Sequence, residues 1–202
     1  MKITILGAGN IGGTLGGKWL AAGHEVAFGV RDANSPKTLS ALGKAKDARV
    51  MSVKDAIQFG EVVLFSVPWK SVPEITKENA SVLDGKVLID ATNNFAGPIN
   101  NNLAALSEAA PHSLIYRAFN SLGWELFADP VIVGQQVDMF YCGPDGETRT
   151  VIHTLIEEIG LNPIWAGDNN RIHLVDNLGA LWVNMIFQRG WKRRFAFKAM
   201  TE

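Results

Sequence analysis

The chain of 202 residues has a single cysteine, Cys142, which excludes an intramolecular disulfide framework and a thiolate-rich metal cluster and fits a reducing compartment. Neither charge is in excess, with 19 Lys and Arg against 20 Asp and Glu. Nothing global therefore steers the protein toward nucleic acid or an anionic membrane. Long hydrophobic runs are lacking too. Ile3 to Leu6 is too short for the core of a secretory signal, and the richest run, Ala180 to Phe187, is interrupted by Asn184 well short of the ~18 apolar residues of a membrane span. A cytoplasmic protein without a membrane anchor is expected. His24, His112, His153 and His173 are scattered, with no i, i+4 pair, so no metal is expected. Internal repeats, low-complexity tracts and Ser/Pro-rich linkers are missing as well.

What remains is a composition that buries a core: 47% hydrophobic and 19% charged. The length suits one domain, 1–202, in which residues 121–202 form a C-terminal part that is not independent. Apolar runs at Ile3–Leu6, Glu25–Gly29, Val62–Val67, Lys86–Ile89, Leu114–Ala118 and Met139–Cys142 alternate with helical periodicity at Ile11–Ala22, Val53–Phe59, Pro73–Val82, Asn101–Ala109 and Thr148–Ile159. Ser52 and Ser71 are placed as helix caps. Runs such as VVLFSV are apolar without alternation, as central parallel strands are. The fold expected is α/β: a Rossmann-type, doubly wound, mainly parallel sheet with a small C-terminal helical extension. In that extension a short strand, Asn162–Trp165, precedes a long helix whose Leu174, Leu178, Leu181, Trp182 and Met185 share a face. With Trp191, Phe195 and Phe197 of the tail, this apolar surface predicts a homodimer.

Gly7, Gly9 and Gly12 form G-x-G-x-x-G between the first strand and the first helix, the setting in which the pattern binds a dinucleotide. Gly7 permits the tight turn, Gly9 lets the pyrophosphate approach the backbone, and Gly12 allows helix and strand to pack closely. The amides at Asn10, Ile11 and Gly12 face the diphosphate at the positive end of the helix. Past the second strand, Asp32 lies 20 residues after Gly12 and by counting takes the ribose slot of an NAD site. By strand geometry Val30 takes that slot, and Arg31 then faces the 2′-phosphate of NADP. NADP is the favoured reading, with Ser35 and Lys37 as secondary phosphate partners. Two further loops follow strands at their carboxyl ends: Ser66-Val67-Pro68-Trp69 beside the riboses, and Asp90 to Asn94, where Thr92 and Asn93 offer polar groups to the carboxamide end. Cys142 in a core strand reads as a small buried hydrophobe. Trp19 and Trp182 read as core, whereas Trp69 and Trp124 fall in loops of the site.

The segments GAGNIGG, GVRD, SVPW, DATNN, RAFNSLG, YCGPDGE and GLNPIWAGDNNRIHLVDNLGALWVNM, in order along nearly the whole chain, resemble the NADP oxidoreductase, coenzyme F420-dependent family. The resemblance implies hydride exchange between NADP(H) and a deazaflavin, with Gly7, Gly9, Asn10, Ile11, Gly12, Arg31, Ser66, Val67, Pro68 and Thr92 at the NADP site. It also implies a small-molecule redox acceptor near Asn120, Leu122 and Trp124, and a dimer. The fold is similar to the cytosolic hydride-passing domain of eukaryotic metalloreductases, which keeps a flavin or another small acceptor open as an alternative, beside a non-catalytic NADP(H)-binding sensor. Where archaeal members carry histidine and proline, this chain has Asn120 and Gly123. No catalytic side chain is singled out, because two preorganised rings exchange a hydride without one. The tail cations Lys192, Arg193, Arg194 and Lys198 are expected to meet the acidic tail of F420.

Overall fold

A computed structural model describes residues 1–202. Six strands form one parallel sheet: β1 (Lys2–Leu6), β2 (Glu25–Gly29), β3 (Arg49–Met51), β4 (Val62–Phe65), β5 (Val87–Asp90) and β6 (Leu114–Arg117), in the order β3-β2-β1-β4-β5-β6. The order reverses between β1 and β4, which opens a crevice at the carboxyl ends of those two strands. Helices α1 (Asn10–Ala21), α2 (Pro36–Lys44), α3 (Val53–Phe59), α4 (Val72–Glu78), α5 (Ala80–Leu83) and α6 (Leu103–Ala109) make the crossovers. The two-residue period of the strands divides the core. Ile3, Ile5, Leu64 and Ile89 join Leu15 and Trp19 of α1 on one face, and Leu6, Val63, Phe65 and Leu88 meet Ile57 and Leu106 on the other. Thr4, the one polar residue in this stretch of β1, is buried and donates its hydroxyl to the Ala56 carbonyl.

The expected helix over 73–82 is in fact two, broken at Asn79, whose side-chain amide donates to the Ile75 carbonyl and competes with the helix ladder. Ser52 caps α3 as expected, accepting from the Asp55 amide, but Ser71 makes no capping bond at α4. The sequence reading does not anticipate α2 or β3. Ser35 caps α2, accepting from the Thr38 amide.

Beyond β6 the chain forms α7 (Trp124–Ala128), the antiparallel hairpin β7 (Val131–Ile132) and β8 (Gln135–Gln136), then β9 (Asp138–Tyr141), α8 (Glu147–Glu158), β10 (Asn162–Trp165) and α9 (Ile172–Phe187). β9 and β10 pair in parallel, and a single antiparallel bridge joins them to β6: the Arg117 amide donates to the Cys142 carbonyl at 2.8 Å and the Cys142 amide returns a bond at 3.1 Å. The face of α9 that packs on the protein is Val175, Asp176, Gly179, Trp182 and Ile186. Of the five residues expected to share the packed face, only Trp182 is buried; Leu174 and Leu181 are exposed, because the stripe that meets the sheet runs about one position away.

The tail after α9 folds back on the body. Trp182 donates its indole N–H to the Phe195 carbonyl, and Trp191, Phe195 and Phe197 form a chain of edge-to-face contacts. Arg193 pairs with Glu125 at 2.6 Å and Arg194 with Asp129 at 2.8 Å. The buried Asp138 carboxylate accepts from Lys198 Nζ at 2.5 Å, the Ala199 amide at 2.6 Å and Asn162 Nδ2 at 2.7 Å. Three of the four tail cations are thus committed to the protein itself, which corrects their assignment to an acidic ligand tail. Asp138→Ala is expected to lower stability by about 2–3 kcal/mol through loss of these charge-assisted bonds and to open the tail to protease. Equal proteolytic rates for variant and wild type would show that the latch holds nothing.

Cys142 is buried, and burial pushes its thiol up to about 12, with the Arg117 charge nearby opposing only in part. The thiol is expected to resist maleimide or disulfide reagents at pH 8 until the chain is unfolded. The raised folded pKa also sets a sign. Above the ordinary thiol range the unfolded chain loses a proton that the folded chain keeps, so this group lowers stability as pH climbs from about 9 toward 12, and Cys142→Ala should flatten that decline in a pH series of melting temperatures.

Candidate functional site

The glycines of the first turn differ in what surrounds them. Gly7 sits at φ +101°, and a Cβ there would come 2.7 Å from the Ser66 carbonyl oxygen, so the turn itself requires glycine. A Cβ at Gly12 would overlap the Gly7 carbonyl and stand 2.7 Å from Ser66 Oγ and 2.9 Å from Ile5 Cγ2, which is the close packing of α1 on the sheet. At Gly9 a Cβ would meet no atom of the protein within 4 Å. Gly9 is exposed and is the N-cap of α1, with no side chain capping the helix. The amides of Asn10, Ile11 and Gly12 therefore point out of the helix end unpaired, an arrangement suited to a diphosphate. This open approach is the feature of the crevice that fits a dinucleotide.

Arg31 lies just past β2, exposed and without a carboxylate partner. Val30 beside it is half-buried, and Asp32 organises its own turn: Oδ1 accepts from the Asn34 amide at 2.8 Å and its carbonyl from Thr38 Oγ1 at 2.9 Å. Ser35 is occupied as the cap of α2, which leaves Lys37 as the exposed secondary cation. On the other side of Gly7, Ser66 donates its hydroxyl to the carbonyls of Leu6 and Gly7, both at 3.1 Å, binding the β4 loop to the β1 turn. Val67 is half-buried and Pro68 exposed, so these two residues form the open rim of that loop.

The third loop is more heavily bonded than its sequence suggests. The Thr92 hydroxyl donates to Asp90 Oδ1 at 2.6 Å and accepts from Asn102 Nδ2 at 2.9 Å. Asn93 Nδ2 donates to the Asn120 carbonyl, and its Oδ1 accepts from Arg117, both at 2.9 Å. Both side chains hold the loop in place, and neither projects a free polar group as expected. Trp69 donates its indole N–H to the Asn101 carbonyl, fastening the β4 loop to the same region.

Asn120, beyond β6, is buried beneath α9, where Gly179 allows the helix to come close: a Cβ there would stand 3.2 Å from the Asn120 carbonyl oxygen, whereas Leu122 is buried in the core with Leu15 and Trp19. Asn120 Oδ1 is a buried acceptor with no partner. Trp124 starts α7 and packs against the core, with Lys44 Nζ 4.6 Å from its ring centre, so a cation already covers that ring.

The sequence singles out Asp90 only as the start of a site loop and assigns no role to Arg117 or Asp176, yet these three buried residues organise this end of the sheet. Their signal is a charge inside an apolar element, Arg117 closing LIYR and Asp176 one turn into α9. A second hollow, of about 440 Å³, lies between loop 94–101 and α9, with Asn100, Asn101, His173 and Asn177 on its walls. The described residues contain no group of three or more His, Cys, Asp or Glu placed to hold a metal ion, and no helix is long and apolar enough to cross a membrane.

Comparison with known proteins agrees with this geometry. The metalloreductase STEAP3 of Rattus norvegicus is 26% identical over 171 residues, which cover 82% of this chain and 34% of that protein, so the chain spans about a third of its length. A protein from Arthrobacter sp. FB24, provisionally described as an F420-dependent NADP reductase, has the same fold throughout, with a TM-score of 0.87, 24% identity and 100% of both chains covered. A hypothetical protein from Sinorhizobium meliloti matches with a TM-score of 0.65 at 26% identity, over 83% of this chain and 85% of its own. Residues 2–94, from β1 through the loop after β5, match the family model described as NADP oxidoreductase coenzyme F420-dependent.

Proposed function

We propose that the protein transfers a hydride between NADP(H) and a deazaflavin acceptor of the F420 type. The observation that carries the nucleotide half is the open approach at Gly9, at the exposed end of α1, with the unpartnered Arg31 on the neighbouring strand end. The family match over residues 2–94 and the Arthrobacter protein's description support the acceptor half.

In this reading the amides of Asn10, Ile11 and Gly12 hold the diphosphate, Arg31 holds the 2′-phosphate, and the rim at Ser66, Val67 and Pro68 borders the riboses. NADP(H), when bound, supplies the carbon that gives or takes the hydride. The chain supplies placement and exclusion of water: Asn120, buried under α9, and Leu122, buried in the core, close the inner wall, and the bonded loop at Thr92 and Asn93 fixes the floor. The acceptor is a small molecule, the protein is cytoplasmic, and two copies pair through the apolar surface that α9 leaves exposed at Leu174, Leu181 and Phe187.

The metalloreductase relative favours a second reading, in which a flavin takes the place of the deazaflavin. Both are tested by mixing the purified protein with NADPH and either F420 or FMN and following loss of acceptor colour, with NADH as the control. Bleaching of F420 by NADPH is expected. Bleaching of FMN alone moves the acceptor to a flavin, and a protein that binds NADPH but bleaches neither F420 nor FMN overturns both readings.

A further inference from the structure

Arg117 is 1% exposed, yet all five of its guanidinium N–H donors are engaged. Nε donates to Asp176 Oδ1 at 2.8 Å. Nη1 donates to the carbonyls of Asp90 at 3.0 Å and Thr92 at 2.5 Å, and Nη2 to Asn93 Oδ1 at 2.9 Å and the Asn100 carbonyl at 3.4 Å. These acceptors belong to three separate pieces of chain: the end of β5 with its loop, the return of that loop at Asn100, and α9. The two carboxylates extend the same network. Asp90 accepts from the Thr92 amide and hydroxyl and from the Asn102 amide, and Asp176 accepts from Asn101 Nδ2 at 2.6 Å.

Burying a guanidinium and two carboxylates is unfavourable unless geometry satisfies every donor and acceptor, and an apolar cluster would serve stability as well. A planar five-donor fork is instead suited to fixing several acceptors in one orientation. Here it fixes the loop after β5 against the helix that covers Asn120. We infer that Arg117 is the positioning residue of the hydride-transfer site: it sets the loop bearing Thr92 and Asn93 relative to α9, and so the gap in which the nicotinamide ring and the acceptor lie together. This inference rests on the reading of the crevice as an NADP(H) site. Arg117 touches neither ring; it acts through Asn93, whose amide bonds the Asn120 carbonyl.

The test separates the two halves of the nucleotide. Adenosine 2′,5′-bisphosphate carries the adenine, the 2′-phosphate and one 5′-phosphate and has no nicotinamide, so its affinity reports Arg31 and the end of α1 and not the loop at Thr92 and Asn93. Arg117→Lys keeps the charge but offers three donors where five acceptors wait. The variant is expected to bind NADPH about ten-fold more weakly and the bisphosphate within about two-fold of wild type, both measured by calorimetry. Where an acceptor turns over, kcat per nucleotide-binding site should fall by more than KM for the acceptor rises. Should Arg117→Lys not fold, Asp176→Asn reads the same coupling from the helix side, with the same selective loss of about five-fold. Equal weakening of both ligands, or no change in either, overturns the role of Arg117 and leaves the nucleotide site standing. A wild-type protein that binds neither ligand overturns the site reading itself and this inference with it.

Discussion

Gly9→Val is expected to reduce NADPH affinity by about a hundred-fold or more while leaving the melting temperature within a few degrees of wild type. The added side chain meets no protein atom within 4 Å of its Cβ, so the fold has no reason to object, and Gly9 already adopts an extended backbone that valine accepts. The obstruction falls on whatever approaches the end of α1. Gly12→Val is the matched control with the opposite pattern. Its Cβ would overlap the Gly7 carbonyl and crowd Ser66 and Ile5, all fixed in the core, and a loss of stability of about 1–3 kcal/mol or more is expected before any ligand is added. Calorimetric binding together with thermal melts distinguishes the two. A Gly9→Val protein that binds NADPH as tightly as wild type would mean that no diphosphate lies against that helix end.

The second large effect concerns the choice between the two nicotinamide cofactors. Arg31 is exposed and unpaired, so removing it costs the folded protein almost nothing and any change in binding belongs to the ligand contact. A charge-assisted guanidinium contact to the 2′-phosphate contributes about 1.5–3 kcal/mol, so Arg31→Ala should weaken NADPH about ten- to a hundred-fold and leave NADH nearly unchanged. Asp32, with one carboxylate oxygen and its carbonyl engaged in its own turn, is not expected to hold an NAD ribose in compensation. Parallel losses for NADPH and NADH would place the arginine away from the 2′-phosphate.

The parts of the fold legible in sequence are those where one physical requirement dominates. β1, β4 and β5 are apolar on both faces because helices cover both faces, and the fingerprint glycines sit where backbone must meet backbone or ligand. β3 is three residues long and its RVM carries no period, and α2 is a short surface helix of low apolar content that buries only Thr38 and Ala41, so neither stands out against its surroundings. The hairpin of β7 and β8 is hidden for another reason. Its turn places Val133 at φ 50° and Gly134 at φ 74°, and a β-branched residue is the last choice for a left-handed position. In the site, glycine and arginine positions follow from spacing, whereas the roles of Thr92 and Asn93 depend on Arg117 and Asn102. Arg117 lies 25 positions from Thr92 and reaches it across the sheet, and Asn102 lies 10 positions away at the return of the loop. No local pattern connects them.

The two margins of the sheet limit how this chain can associate with others. At one margin β3 offers only three residues, and Arg49 there is paired with Glu25 and lies over the Phe59 ring. Beyond β6 at the other, the small β9–β10 sheet is joined on by one bridge, and on its outer strand Asn162 and Ala166 direct their amides inward to Val137 and Tyr141, so Pro163 lies on the outward side with no N–H to give. Both margins are poor templates for a further strand, β3 through its length and β10 through its proline, which weakens the commonest route by which an open sheet recruits its neighbours into fibres. Self-recognition falls mainly to side chains, and a crowded solution of this protein should nucleate cross-β growth slowly as long as the sheet stays intact.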